Sequence, residues 1–229
     1  MESSPSKVTD TSRWGRYAKR NHPSRLFIRL LIYGPLYRAC TRLLCTTVFD
    51  DPVSILELGC GPAYIARRLT EHIPTRRLVL VDSNPAMIEI AKQTFQGYTC
   101  DVEFIESNFF QMNLTEKFDL VYSIGVVEHF DSTARAQLLR IHADHVREGG
   151  YCMVYVPTPL PSYLFFRALA RCLGRWEHDD ETPLSREQLV GEIRQAGLQV
   201  LDVNHVWRYY LTQVGIIANA PTKSNMGGF

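Results

Sequence analysis

Ile55-Leu56-Glu57-Leu58-Gly59-Cys60-Gly61-Pro62-Ala63 decides how the rest of the chain is read. A short apolar run ends in a G-x-G turn, and AYIARRLTEHI follows it with helical spacing. Glycines at such a turn let the backbone reverse tightly and approach a ligand with no Cβ in the way. A lone G-x-G suits many nucleotide binders, so its neighbours carry the reading. Glu57 lies inside the strand, where a carboxylate is costly unless it finds cationic or hydrogen-bonding partners. A pyrophosphate is a poor neighbour for it and a cationic ligand a good one; a local arginine partner is the plainer alternative. Asp82 ends the next apolar run, RRLVLVD, about where an acidic side chain takes ribose hydroxyls in such units.

Working outward, the pattern repeats. NPAMIEIAKQTF reads as a helix with Asn84 as N-cap and Pro85 at its first position. CDVEFIES, FDLVYSIG and YCMVYVP read as further strands, and STARAQLLRIHADHVRE as a helix closed by Gly149-Gly150. Strands alternating with helices at this spacing predict a doubly wound, mostly parallel α/β sheet, with ligands bound along the strand C-termini. SREQLVGEIRQAG is a helix with a capping box, Ser185 and Gln188. LQVLDVNHV and LTQVGIIAN are expected to form an antiparallel strand pair. Before the core, RLFIRLLIYGPLYRACTRLLC is helical in character and broken at Gly34-Pro35.

Composition excludes several classes. The chain has 229 residues, 45% of them hydrophobic, and a formal net charge of +1. That is globular composition, long enough for a sizeable core, and gives no reason to expect nucleic acid as a partner. Residues 1–50 nevertheless hold nine Lys/Arg against three Asp/Glu. That leader is a solvated basic face or faces an anionic partner or membrane surface. The six cysteines form no C-x-x-C and demand no disulfide. No segment has the roughly 20 apolar residues of a membrane span, and residues 1–25 hold no signal-peptide core. A cytoplasmic location is therefore expected. A homodimer through the apolar part of the leader is an open alternative.

ILELGCGPA, LVLVDSNPAMIEIA, FIESNFF and FDLVYSIGVVEHF, in this order, resemble the class I S-adenosylmethionine-dependent methyltransferases. The resemblance is strong over roughly residues 50–160. It implies a Rossmann-like seven-stranded sheet, with residues 1–49 as an N-terminal helical cap. Residues 50–229 then form the methyltransferase domain, with a lid-like insertion at about 157–185. The implied cofactor is S-adenosylmethionine, released as S-adenosylhomocysteine. By position, Gly59, Cys60 and Gly61 approach its methionine part. Glu57 organises that loop and the ammonium group, and Asp82 accepts from the ribose hydroxyls. Ser83 and Met87 flank the adenosine, Asn108 and Phe109 face the adenine, and Ser123 and Ile124 pass under the cofactor. Ala63 stands where the family usually has glycine, and Asn108 where aspartate is common; an Asn carbonyl can still accept from the adenine amino group, and its amide can donate.

Methyl transfer is an in-line displacement on a good leaving group, so alignment and exclusion of water dominate and no metal is required. An oxygen nucleophile also needs its proton removed. His129, just after the fourth strand, is the candidate base, since an imidazole with an ordinary pKa of about 6.5 suits that task; a positioning role is the alternative. Candidate acceptor contacts are Tyr17, Tyr33, Tyr37, His129, Tyr163, Phe166 and Arg167, which suit a hydrophobic or planar small molecule. The run His178-Asp179-Asp180-Glu181 reads as a solvated acidic loop rather than a metal cluster. A small-molecule acceptor methylated at oxygen is the leading expectation, with N-methylation or a macromolecular acceptor as the alternative.

Overall fold

The computed structural model describes residues 34–221 apart from 46, 48, 50, 51, 175, 177, 178, 209 and 210. Seven strands form one sheet: β1 Val53–Leu58, β2 Thr75–Asp82, β3 Asp101–Glu106, β4 Phe118–Ile124, β5 Val146–Pro157, β6 Gln199–Arg208 and β7 Leu211–Asn219. Their order is β3-β2-β1-β4-β5-β7-β6. The first five pair in parallel and the last two antiparallel. The helices are α1 Gly34–Leu44, α2 Tyr64–Leu69, α3 Pro85–Thr94, α4 Ser132–His145, α5 Pro161–Cys172 and α6 Arg186–Gln195. The doubly wound α/β sheet and its antiparallel end are those the sequence predicts.

β1 and β4 are buried along nearly their whole length, which is why they read as continuous apolar runs rather than alternating ones. Two clusters cover the two faces. One packs α1, α2 and α3 on Ile55, Leu78, Leu80, Tyr122 and Tyr155. The other packs α4 and α6 on Leu56, Leu58, Val121, Cys152 and Val154. The outer strands are held closely: a Cβ at Gly215 would lie 2.1 Å from the Tyr155 ring, so β7 can cross that ring only with glycine there. The Tyr155 hydroxyl donates to Asn204 Oδ1 at 2.8 Å, and Asn204 Nδ2 donates to the Ala39 carbonyl at 3.0 Å, tying α1 to β6.

One detail differs from the sequence reading. The helix expected to run to Gly149-Gly150 ends at His145, and both glycines lie inside β5. Pairing decides this: Val146 already sits opposite Phe118, and a register shift absorbs the intervening residues. His145 bridges the helix end to the loop before β4, its ring nitrogens meeting the Ile141 and Leu114 carbonyls. Of the N-terminal helical stretch, the part after the Gly34-Pro35 break is α1; Tyr17 and Tyr33 lie outside the described residues. No helix among the described residues is long and apolar enough to cross a membrane.

Candidate active site

The parallel strands β1, β2, β3, β4 and β5 all end along one edge, and the candidate residues collect there. Gly59 follows β1 with φ +74, and its amide donates to the Val81 carbonyl at 2.8 Å. A Cβ at Gly59 would stand 2.6 Å from Val126 Cγ2. The first glycine is therefore required by the approach of the loop after β4, not only by the turn. Gly61 donates its amide to Asp82 Oδ2 at 2.8 Å, and Asn84 donates to Asp82 Oδ1 at 2.9 Å. The Asp82 carboxylate thus staples the glycine loop to the start of α3, with remaining lone pairs for a diol. Burial pushes its pKa up, against the pull of these amides. Ser83 leads from Asp82 into this cap, where Asn84 Oδ1 accepts from Ala86. Met87 is buried in the first turn of α3, outside both core clusters.

Ala63 takes φ +55 at the start of α2, a left-handed conformation that costs an L-residue about 1–2 kcal/mol. Ala63 is buried against the core.

Glu57 is buried on the face of β1 shared with Tyr122. Burial pushes its carboxyl well above the usual range, the Tyr122 hydroxyl pulls it back, and Asp82 raises it further. Its Oε2 is buried with no well-formed hydrogen bond. A buried, under-satisfied acid behind a glycine loop fits a ligand that brings positive charge and N–H donors. Cys60 is buried beside it, and burial with the Glu57 charge raises its thiol; it is a packing residue in an anionic setting, not a reactive thiolate.

The residues after β3 and β4 are distributed less simply. Asn108 Oδ1 accepts from the Phe110 amide at 3.1 Å and caps the 3-10 turn Phe109–Gln111. The amide group, a donor, is what Asn108 has left for a base edge, the second of the two roles its side chain allows. Phe109 makes edge contacts with Phe110 and Phe130. Ser123 does not turn toward the glycine loop: its hydroxyl meets His142 Nε2 at 2.9 Å on the opposite face, and His142 Nδ1 meets the Leu138 carbonyl. Burial holds His142 at a pKa of about 4, so the ring is neutral. Only the backbone of Ser123, with Ile124 beyond it, borders the edge. Tyr37 also lies elsewhere. Its hydroxyl meets His72 Nδ1 at 2.7 Å and Arg68 stacks on its ring, which fastens α1 to the far end of α2, away from this edge.

His129 ends the 3-10 turn Val127–His129, three residues after the Val126 that touches Gly59. Its Nδ1 lies 3.3 Å from Asp180 Oδ1. Glu128 is buried, the neighbouring Glu181 and Asp180 reinforce burial in raising its carboxyl, and its backbone carbonyl accepts from Thr182 at 2.8 Å. Tyr163 on α5 donates its hydroxyl to Glu181 Oε1, and Arg167 Nη2 donates to the Glu181 carbonyl at 2.9 Å while its guanidinium lies over Trp176. Phe166 is half-buried on the same helix, in edge contact with Phe165. The stretch that reads as a solvated acidic loop is therefore folded inward: Glu181 is 8% exposed. Asp179 alone fits the original description, exposed and paired with Arg171, and His178 lies outside the described residues. Asp180 and Glu181 are the site residues the sequence reading missed; their closeness to His129 depends on the return of the chain after α5, which no local pattern encodes. Glu128, His129 and Glu181 bring ligand atoms within 4.8 Å of one another, a donor set that could also hold a divalent cation.

These features define an α/β fold whose glycine-turn, strand-acid and strand-end aspartate fit a nucleoside that carries an amino acid. Residues 55–150 match the family profile described as "Methyltransferase domain". That match covers 96 of the 229 residues, and the topology is the Rossmann-like fold of solved methyltransferases. It is 30% identical over 122 residues to trans-aconitate 2-methyltransferase of Azoarcus sp. (strain BH72), covering 52% of this chain and 45% of that enzyme. It is 30% identical over 82 residues to malonyl-[acyl-carrier protein] O-methyltransferase 1 of Ilyobacter polytropus, covering 36% and 30%. The chain thus spans less than half the length of either relative. The N-methyltransferase NodS of Bradyrhizobium japonicum WM9, solved with S-adenosylhomocysteine, superposes with a TM-score of 0.69 over 92% of this chain and 98% of that one, at 18% identity.

Proposed function

We propose that the chain transfers a methyl group from S-adenosylmethionine to an oxygen of a small-molecule acceptor, with His129 as general base. The observation that carries this is the His129–Asp180 pair, held three residues from the Val126 that packs on Gly59. Gly59, Cys60 and Gly61 would hold the methionine part of the cofactor, Glu57 its ammonium group and Asp82 the ribose. Ser83 and Met87 would flank the adenosine, Asn108 and Phe109 the adenine, and Ile124 with the Ser123 backbone would pass beneath. When bound, the cofactor supplies an electrophilic methyl carbon on a sulfonium. Asp180, whose Oδ1 stands 3.3 Å from His129 Nδ1, would stabilise the imidazolium that forms when the ring takes a proton from an acceptor hydroxyl. Tyr163, Phe166 and Arg167 would cover the acceptor and keep water out, as an insertion over residues 157–185 is suited to do. By name, one relative methylates trans-aconitate and the other acts at oxygen on a malonyl-[acyl-carrier protein].

An amine acceptor is the second reading, favoured by the carboxylates of Glu128, Asp180 and Glu181 around His129. Those acids would hold an amine protonated and blunt its nucleophilicity, which is why oxygen is preferred. Methyl-labelled cofactor offered against separate panels of carboxylic acids, phenols and amines tests the choice. Label in an acid or phenol fraction is expected; label confined to amines would replace oxygen by nitrogen.

A further inference from the structure

Phe104, Leu80, Glu57, Tyr122, Met153 and Ile217 stand in one row across the sheet, each the register partner of the next. Register partners share a face, here the one covered by α1, α2 and α3. Four of these side chains are apolar, and the two polar ones, Glu57 and Tyr122, are neighbours. Glu57 is 4% exposed and Tyr122 0%. A phenylalanine would fill the same space in such a row. A hydroxyl buried there is costly unless it has a partner.

Glu57 Oε2 and the Tyr122 hydroxyl are both buried without a well-formed hydrogen bond, a leftover acceptor beside a leftover donor. The flanking Leu80 and Met153 offer neither side chain a partner. Tyr155, further along the face, gives its hydroxyl to Asn204 instead. Three more titratable groups surround the Glu57 carboxyl: Asp82 at the end of β2, Cys60 in the glycine loop and Cys40 on α1. None is a cation, so the arginine partner that the sequence left open is not among the groups that act on Glu57 in the described residues. Asp82 and burial favour the neutral acid, and the Tyr122 hydroxyl favours the carboxylate. We infer that Tyr122 is a positioning residue of the cofactor site, its hydroxyl donating to one oxygen of the Glu57 carboxylate and leaving the other for the cofactor's ammonium group. The inference rests on Glu57 receiving that ammonium, as proposed above. Tyr122 acts only through Glu57: without the hydroxyl the acid holds its proton to higher pH, and a neutral acid attracts an ammonium group less.

Calorimetry on the full chain with two ligands tests this. S-adenosylhomocysteine carries the amino-acid part of the cofactor, and methylthioadenosine lacks it. Tyr122→Phe keeps the ring and should weaken S-adenosylhomocysteine about fivefold or more at about pH 7, with methylthioadenosine unchanged within about twofold. The deficit should be larger at about pH 6 than at about pH 8, because only at the lower pH does the variant's Glu57 stay protonated. In a Glu57→Gln background the same substitution should bring no further loss, as expected of two groups that act as one. Equal losses for both ligands, no loss for S-adenosylhomocysteine, a deficit indifferent to pH, or an effect that adds to Glu57→Gln would each overturn the role of Tyr122. A wild type that binds both ligands equally would remove Glu57 from the ammonium group and the role of Tyr122 with it. A wild type that binds neither would remove the methyltransferase reading itself.

Discussion

Asp180→Asn removes one charge from the site while keeping the shape of the side chain. Asp180 Oδ1 stands 3.3 Å from His129 Nδ1. At an effective dielectric constant of about 20, a unit-charge pair at that distance is worth roughly 5 kcal/mol. Asp180 is 25% exposed at its side chain and His129 10%, so solvent screens part of this. About 2–3 kcal/mol remains for stabilising the imidazolium as the proton is taken, a factor of roughly 30–150 in rate. Steady-state kinetics on the best acceptor should show that loss in kcat, with KM and S-adenosylhomocysteine affinity nearly unchanged, because Asp180 is absent from the cofactor pocket. A loss below about threefold would refute the dyad and leave His129 a positioning role.

Three further outcomes follow from separate features. Ala63→Gly should raise stability by about 1 kcal/mol in urea denaturation, since glycine relieves the φ of +55 at the start of α2; a destabilised variant would show that the Ala63 methyl contributes more to packing than its conformation costs. The fold lowers the His142 pKa from 6.5 to about 4 by burying the neutral ring. The unfolded chain therefore binds the proton first: this contribution is complete above the unfolded value and is lost as pH falls from about 6.5 to about 4, amounting to roughly 3 kcal/mol. Urea titrations of the wild type should show that decline more steeply than those of His142→Gln, and parallel profiles would contradict it. Dialysis against a chelator should leave methyl transfer intact if His129 is the base; activity lost to chelation and restored by a divalent cation would mean that Glu128, His129 and Glu181 hold a metal instead.

The sheet was legible because parallel strands covered on both faces leave unmistakable apolar runs, and each run here is punctuated by glycine, proline or a capping residue. The cofactor end was legible for a related reason. Glu57, Gly59 and Asp82 act through local geometry, within a strand or at its end, and a strand–turn–helix unit fixes their spacing. Ser123 shows the limit of motif transfer: it lies next to Tyr122 along β4, so alternation sends its side chain to the face opposite Glu57, where His142 takes it. Tyr37 had the right chemistry for an acceptor wall, but an amphipathic helix does not reveal which end of the sheet it will meet. Asp180 and Glu181 were hidden most thoroughly. Acidic residues between prolines and glycines resemble a solvated loop, and their burial depends on Tyr163, Arg167 and the amide of Thr182, contacts set only by the return of the chain after α5.

Calorimetric titration of the full chain with S-adenosylhomocysteine tests the central claim most directly. Saturable binding at one site is expected, weakened by at least about tenfold in Asp82→Ala, where two ribose hydroxyls lose their acceptor. No binding at millimolar ligand, or an affinity indifferent to Asp82, would contradict it.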